Sequence, residues 1–378
     1  MDARPTPDWD TFRSAFPALN GRTYLNTAGG APLSRAASAA GALYYEEMLA
    51  DGDAQWPDWL ARADAVRAKF ADLVNALPDD IAFLSSASAA MNAVTGYLDP
   101  EDPIVTVADE FPSVTLPWIN RGHPVTAIPV DADGGVSIDR IADAVADGTG
   151  AIVVSHVQFR TGRRLDLSAL GAIADRKGAL LIVDATQSAG AIPIDLNESS
   201  VSILMASGYK WLCAGYGIGA VYLSPRLRER RPPVYGWRSA AIPYALDPVA
   251  IDPTPTAVQL EMGHPPLAPV FALGGALDHL ASVGIDAAWS RIVDLEARLR
   301  TCLAASGLPE PLGPAGESGI AVLPCSHGAA IKQTLAAENV FVTSSGPYLR
   351  LSVHAYNTPD DVEHGVDRLA AAWRTAEA

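Results

Sequence analysis

The stretch that decides the fold is "AIVVSHVQFRTGRRLDLSALGAIADRKGALLIVDA", residues 151–185. Its first seven residues form a short apolar run rich in β-branched side chains, which predicts a buried strand. The part beginning "DLSALG" has helical spacing, with Asp166 placed to cap the first turn and Gly178 placed to end the helix. "ALLIVDA" predicts a second strand. This order predicts a right-handed βαβ unit within a parallel sheet.

Similar alternation of apolar runs and helical patterns extends over residues 80–225, which favours a mostly parallel sheet flanked by helices. After about residue 245 the pattern changes to a Pro-rich connection, a helical stretch and short strands, then a helix capped by Thr358. The sequence therefore predicts an α/β protein with a smaller α+β C-terminal domain. The predicted parts are an N-terminal segment packing on the small domain (1–20), a large domain (21–265) and the small domain (266–378).

Composition restricts the class of protein. The chain has 378 residues, 49% of them hydrophobic and 19% charged, so it can bury a large core. A formal net charge of -16 opposes binding to nucleic acid or to an anionic membrane. The start "MDARPTPDWDTF" lacks the pattern of a signal peptide, and the three cysteines are far apart in sequence. We expect a cytoplasmic protein without a metal site or disulfides.

Polar residues stand at the ends of three predicted strands. Ligands of open α/β sheets bind beyond the carboxyl ends of the strands, so these positions are candidates for a site. They are Ser155 and His156 after "AIVV", Asp184 and then Gln187 after "LLIV", and Ser207, Tyr209 and Lys210 after "ILMA".

Lys210 is the single charged residue of "ILMASGYKWLCAGYGIGAVYL" (203–223), whose glycines fit two short strands and a turn. It can be read as a lysine whose stem lies on apolar surface. If buried, it would instead have a lowered pKa and act as an amine nucleophile. Asp184 alone also has an ordinary interpretation, as a helix N-cap. The two residues together favour a catalytic site.

A candidate anion site lies in "IAFLSSASAAMNAVTGYL", which predicts a strand, a serine-rich turn and a helix beginning near Ser88. Serines at such positions are also plain helix caps. The chain has neither a Walker lysine nor a G-x-G-x-x-G after a strand, so a nucleotide is not indicated. An anion site, a strand-end carboxylate and an apolar lysine are the three groups that a pyridoxal phosphate enzyme needs.

The sequence also resembles the class V aminotransferase family of fold-type I pyridoxal phosphate enzymes. The similarity falls in the branch of cysteine desulfurases, selenocysteine lyases, kynureninases and isopenicillin N epimerase-like proteins. It covers nearly the whole chain, through "YLNTAGGAPL", "SSASAAMN", "DEFPSVTLPW", "SHVQFRTGRRLDL", "DATQSAGAIPIDL", "SGYKWL" and "LRLSVHAYNT". This resemblance implies pyridoxal 5'-phosphate as cofactor, an amino acid as substrate, and a homodimer with active sites at its interface.

The resemblance implies roles for single residues. Lys210 would form the Schiff base and move the Cα proton, and Asp184 would pair with the pyridine nitrogen. Gln187 would bind the ring hydroxyl, and Phe111 would stack on the ring. The phosphate would be held by Ala87, Ser88, Ser207 and Tyr209, and His264 stands where the family commonly has a threonine that touches the partner's phosphate.

Arg350 matches the arginine that clamps the substrate α-carboxylate as a bidentate pair, and Asn26 is expected near the substrate. Further candidates for the substrate wall share large or charged side chains in predicted loops. They are Trp56, Trp59, Arg160, Trp237 and Arg238, for which packing is the alternative interpretation.

Desulfurases of this family carry a sulfur-accepting cysteine shortly before the clamp arginine, whereas "NVFVTSSGPYLR" has none. Cys213 and Cys325 are expected to be inert core thiols. The resulting prediction is an enzyme that works at Cα and Cβ through a Schiff base and quinonoid, as a carbon-sulfur lyase without a persulfide cysteine. A class V aminotransferase or an epimerase is the alternative, and a non-catalytic binding module with this fold is a further one.

Overall fold

The computed structural model describes residues 7–377, so the first six residues of the predicted N-terminal segment lie outside it. The strands are β1 Thr23–Tyr24, β2 Ile81–Leu84, β3 Ile104–Val107, β4 Val125–Ile128, β5 Ala151–Ser155, β6 Leu180–Asp184, β7 Ile203–Ser207, β8 Gly219–Leu223, β9 Ile320–Pro324, β10 Val340–Phe341, β11 Thr343–Ser345 and β12 Tyr348–Ser352. The α-helices are α1 Trp9–Ser14, α2 Arg35–Asp51, α3 Trp56–Leu73, α4 Ala87–Val94, α5 Pro112–Arg121, α6 Ile138–Ala144, α7 Leu167–Lys177, α8 Pro225–Arg228, α9 Leu267–Ala281, α10 Ile285–Ala305, α11 Gly328–Ala337 and α12 Pro359–Glu377.

A seven-stranded sheet forms the centre, in the order β2-β8-β7-β6-β5-β3-β4. The neighbours from β7 to β4 are parallel, and β8 is antiparallel to both β7 and β2. Its inner strands are buried along their whole length because helices cover both faces. Separate apolar clusters lie on the two sides of the sheet. The predicted α/β fold is confirmed.

The βαβ unit predicted from residues 151–185 is present. The side chain of Asp166 caps α7 by accepting from the backbone N–H of Ala169 at 3.0 Å. Gly178 ends the helix with φ of +68°, a conformation that glycine adopts without strain. The register pairs Ser155 with Asp184, so the carboxyl ends of β5 and β6 lie side by side.

The C-terminal part contains the antiparallel sheet β11-β12-β9, packed with α10, α11 and α12 around its own apolar cluster. The helical stretch predicted at about 270–305 is two helices, separated where Gly284 has φ of +81°. Helix α9 packs with the core of the large sheet, and the predicted domain boundary after residue 265 stays a prediction. In the N-terminal segment, Arg13 pairs with Asp361 at 2.7 Å.

Within residues 7–377 no single helix has both the length and the apolar composition needed to cross a membrane. Helices α9 and α10 meet that test only when taken together, and their axes are bent by 76°.

Candidate active site

A small cavity opens at the carboxyl ends of β5, β6 and β7, and eight of the eleven predicted site residues line it. These eight are Ala87, Ser88, Phe111, Asp184, Gln187, Ser207, Tyr209 and Lys210. The lining also includes Phe159 and Thr186, which were not predicted, and the strand-end residue Ser155. The strand ends therefore meet as the parallel sheet requires.

Lys210 follows the end of β7 and is 7% exposed. Its Nζ lies 5.6 Å from the centroid of the Phe111 ring and 5.5 Å from that of Tyr209. Burial, helped by the charge of Arg350, lowers the pKa of Lys210 to about 8 against the opposing charge of Asp184. A larger neutral fraction at physiological pH makes this amine a better nucleophile and base.

Asp184 ends β6, and its Oδ1 accepts a hydrogen bond from the backbone N–H of Thr186 at 2.8 Å. Burial raises the pKa of this carboxyl, and the hydrogen bonds from Thr186 and the charge of Lys210 oppose that shift. A buried carboxylate is stable only beside a cation or strong donors. The protonated nitrogen of a pyridine ring is such a cation, so this carboxyl fits the proposed cofactor.

Gln187 is fixed at both ends of its amide. Its Nε2 donates to the carbonyl of Ala28 at 3.1 Å, and its Oε1 accepts from Nε1 of Trp211 at 2.9 Å. Because both groups hold it, Gln187 presents a rigid polar edge to the cavity it lines. Its hydrogen bond to the ring hydroxyl stays a prediction.

The serine-rich turn begins α4, as predicted, but the cap is Ser86, which sequence reasoning missed. Its hydroxyl accepts from the backbone N–H of Ala89 at 3.1 Å. The N–H of Ala87 donates to Oγ of Ser207 at 3.1 Å, which joins the helix start to the end of β7. Ser88 donates to Oγ of Ser113 at 2.8 Å. Backbone N–H groups and hydroxyls at the helix start fit a phosphate.

Gly219, the first residue of β8, lies directly behind this turn. A Cβ at this position would lie 2.4 Å from the carbonyl carbon of Ser86 and 2.7 Å from the backbone nitrogen of Ala87. Only glycine allows the strand to approach the helix start this closely.

Glu110 lies at the same edge of the sheet, and sequence reasoning missed it as well. Its carboxyl accepts from the backbone N–H of Ser155 at 2.7 Å, the hydroxyl of Ser155 at 2.6 Å, Nε2 of Gln158 at 2.7 Å and the backbone N–H of Phe111 at 3.2 Å. Burial raises the pKa of Glu110, and these hydrogen bonds oppose the shift. Glu110 therefore ties the ring-stacking candidate Phe111 to the end of β5.

Arg350 lies on β12, next to the cavity wall. Its Nη1 donates to the carbonyl of Phe159 at 2.7 Å, and its buried Nε has no hydrogen-bond partner within residues 7–377. Burial lowers the pKa of Arg350 to about 10, with Tyr209 opposing. A buried guanidinium with a spare N–H group is arranged to receive an anion.

Besides Arg350, two predicted residues do not line the cavity. Asn26 bridges to Ser352, and its Oδ1 accepts from the hydroxyl of Thr343. His264 is exposed and packs edge-on against Trp56 at 4.9 Å and Trp237 at 5.0 Å, measured between ring centroids. Their roles toward substrate and toward a partner's phosphate stay predictions.

Two of the candidate wall residues belong instead to the interior. Trp59 is 1% exposed and donates from Nε1 to Glu47 at 2.7 Å. Arg238 is buried and pairs with Glu261 at 3.1 Å. The prediction was wrong for both, because partners elsewhere in the chain bury these large side chains.

The cavity thus combines a nucleophilic lysine, a buried carboxyl and a helix start suited to phosphate, and an arginine with a free donor lies next to its wall. The first three are the groups that pyridoxal phosphate requires. The class V aminotransferase family matches residues 23–364, so the chain belongs to that family and is a pyridoxal-phosphate-dependent enzyme.

One relative is similar in sequence over nearly the whole chain, and two solved structures are similar in fold. The chain is 28% identical to "Uncharacterized aminotransferase YcbU" of Bacillus subtilis over 96% of this chain and 97% of that one. A structure of C-DES with glycine covalently linked to PLP superposes with a TM-score of 0.89 at 22% identity, covering 97% of this chain and 99% of the other. A second structure, named as the cystine C-S lyase C-DES with its product cysteine persulfide, gives a TM-score of 0.88 at 22% identity, covering 94% and 99%.

Proposed function

We propose that this enzyme is a carbon-sulfur lyase that acts on a cysteine-type amino acid without a persulfide cysteine. When bound, pyridoxal phosphate withdraws electrons from the substrate Cα, which makes loss of the Cα proton and then of a β-thiolate possible. The products of such an elimination are a thiol, pyruvate and ammonia, with one water consumed. The observation that carries the proposal is Lys210, a buried amine with a lowered pKa in a cavity beside Asp184.

The chain's own residues divide the work. Arg350 binds the α-carboxylate with its unpartnered Nε. Lys210 holds the cofactor aldehyde in the resting enzyme and afterwards takes the Cα proton at its Nζ. Asp184 keeps a proton on the pyridine nitrogen. Phe111 packs on the ring, and the start of α4 with Ser207 binds the phosphate.

The geometry near Arg350 favours a lyase without a cysteine relay. Strands β11 and β12 are joined by the two-residue turn Gly346–Pro347, since Ser345 pairs with Tyr348. This turn contains no cysteine. Cys213 is buried, its pKa is raised by burial, and its Sγ faces Trp211 and His354. The similar fold of C-DES, which is named as a cystine C-S lyase, also supports the proposal.

A cysteine-free variant tests the proposal directly. We expect Cys213→Ser/Cys302→Ser/Cys325→Ser to form pyruvate from L-cystine at a rate within a few-fold of the parent enzyme. Lys210→Ala is the negative control and should lose both activity and the absorbance of the bound cofactor. A cysteine-free enzyme that binds cofactor yet forms no pyruvate would contradict the proposal. A keto acid with the substrate's carbon skeleton would instead indicate transamination, and a D-amino acid epimerisation.

We also propose a homodimer in the cytoplasm. Exposed apolar side chains are concentrated on α2 and in the segment 242–262, and large apolar patches mark contact surfaces. They include Leu43, Tyr45, Met48, Leu49, Ile242, Tyr244, Leu246, Val249 and Met262. All three cysteines are free thiols, which suits a reducing compartment. Sedimentation of the holoenzyme measures the assembly, and a monomer at micromolar concentration would contradict it.

A further inference from the structure

Arg160 and Arg350 each have a buried guanidinium nitrogen without a hydrogen-bond partner and form no salt bridge within residues 7–377. Five arginines within residues 7–377 have a buried guanidinium nitrogen without a hydrogen-bond partner: Arg67, Arg160, Arg163, Arg228 and Arg350. Three of them have a carboxylate nearby, which is Glu261 for Arg67, Asp133 for Arg163 and Asp80 for Arg228. Arg160 and Arg350 form no salt bridge within the same residues, although the chain carries a net charge of -16.

Phe159 connects these two arginines to the cavity. Its carbonyl accepts from Nη1 of Arg350 at 2.7 Å, and its ring centroid lies 5.5 Å from Cζ of Arg160. The ring of Phe159 lines the cavity and packs edge-on against Phe111 at 5.3 Å. Arg160 is half-buried and does not itself line the cavity, so its link to the cavity is the contact with the ring of Phe159.

The contact with Phe159 satisfies only part of what a guanidinium group needs. An aromatic face attracts the positive charge, but it offers none of the oxygen acceptors that match the planar N–H groups. A buried N–H group without an acceptor lowers stability and calls for an explanation. Arg67, Arg163 and Arg228 each have a protein carboxylate that balances their charge. A bound ligand is therefore the candidate acceptor for the guanidinium group of Arg160.

We propose that Arg160 binds an anionic group at the end of the substrate's side chain, so that the preferred substrates are cysteine-type amino acids with a second carboxylate. This inference rests on the proposed function, in which Arg350 binds the α-carboxylate. The two guanidinium groups contact different parts of Phe159, one its carbonyl and the other its ring, and so offer two separate anion sites to one molecule. A neutral side chain would leave Arg160 without an acceptor, which is how such a site discriminates.

Two compounds of equal size test the inference. S-carboxymethyl-L-cysteine and S-carbamoylmethyl-L-cysteine carry the same α-carboxylate and differ only in a terminal carboxylate or amide. Their dissociation constants from the holoenzyme are measured by rapid mixing, from the absorbance change of the bound cofactor. We expect at least tenfold tighter binding of the carboxymethyl compound. In Arg160→Gln the ratio of the two constants should fall to about one, and Arg160→Lys should restore part of it.

Arg164→Gln is the matched control. Arg164 also lies over an aromatic ring, that of Trp289 at 5.6 Å, but Trp289 does not line the cavity, so removal of the Arg164 charge should leave the ratio unchanged. Equal binding of both compounds by the parent enzyme would overturn the inference, as would an unchanged ratio in Arg160→Gln. Pyruvate release is recorded separately. A binding preference without pyruvate from either compound would contradict the lyase proposal and leave the role of Arg160 standing.

Discussion

Glu110 and Ser155 are joined by two hydrogen bonds, since the carboxyl of Glu110 accepts both the backbone N–H and the hydroxyl of Ser155, at 2.7 and 2.6 Å. The two residues belong to chain segments that follow β3 and end β5, and Ser155 lines the cavity. Because Phe111 follows Glu110 directly, this pair fixes the backbone from which the ring-stacking candidate projects. Glu110 is a positioning residue in this arrangement.

Removal of the Glu110 carboxyl should destabilise the protein. We expect Glu110→Ala to lower the free energy of unfolding by about 3 kcal/mol, because it leaves buried donors of Ser155 and Gln158 unpartnered. Urea denaturation of the cofactor-free protein measures this change. Glu110→Gln keeps the shape of the side chain and one acceptor, so its free energy of unfolding should fall less than that of Glu110→Ala. A change below about 0.5 kcal/mol in Glu110→Ala would contradict the positioning role.

The lowered pKa of Lys210 predicts how cofactor binding depends on pH. The neutral amine is the form that attacks the aldehyde, so the rate of reconstitution with pyridoxal phosphate should rise with pH around a midpoint of about 8. Removal of the Asp184 charge by Asp184→Asn should move the midpoint lower, since that charge raises the pKa of Lys210. Stopped-flow absorbance over a pH series gives the midpoint. A midpoint near the ordinary lysine value would contradict burial of the amine.

Asp184→Asn should also separate stability from activity. Folding raises the pKa of Asp184, so the contribution of this group to stability is full below its unfolded pKa and is lost as pH rises through the folded pKa. At pH 8 the cofactor-free Asn variant should therefore be at least as stable as the parent, with the difference shrinking in acid.

The kcat of Asp184→Asn with cofactor should fall on the order of 100-fold, because the pyridine nitrogen loses its partner. Thermal unfolding and steady-state rates measure the two effects. If the cofactor-free Asn variant is less stable than the parent protein at pH 8, folding does not raise the pKa of Asp184.

Arg350→Ala tests the substrate clamp. Loss of a charge-assisted hydrogen bond of about 2–3 kcal/mol predicts a rise in KM of roughly 50-fold, with little change in cofactor affinity. Arg350→Lys retains the charge without the planar fork, so its KM should lie between those of the parent enzyme and Arg350→Ala. Steady-state kinetics and fluorescence titration with pyridoxal phosphate provide the measurements. If KM and cofactor affinity worsen together, Arg350 is structural.

The sequence was sufficient to identify site residues whose role follows from their position at the end of a single strand. Asp184, Ser207 and Lys210 stand at or just beyond strand ends, and a parallel sheet brings such ends together wherever the strands lie in order. Glu110 and Phe159 were missed because their importance comes from partners contributed by other elements. The available signal for Glu110 was its place in "DEF" (109–111), where two acidic residues stand shortly after the end of β3.

The errors at Trp59 and Arg238 have the same origin. Tryptophan and arginine in a sequence carry no mark of the distant carboxylate that will pair with them. In the fold, Glu47 accepts from Trp59 and Glu261 pairs with Arg238, which draws both side chains inward. The helix was predicted to begin near Ser88, whereas it begins at Ala87 with Ser86 as its cap, because the sequence offers several nearby serines that could serve as the cap.

Gly219 shows that residues remote from a ligand can decide whether it is retained. Strand β8 supports the α4 turn from behind, with no room for a methyl group between Gly219 and Ser86. A screen for loss of activity would score Gly219→Ala together with substitutions of the phosphate ligands, although this position is not among the residues that line the cavity. Weakened retention of the vitamin B6 coenzyme would be the visible phenotype, and high concentrations of the coenzyme in the medium would be the natural means of rescue.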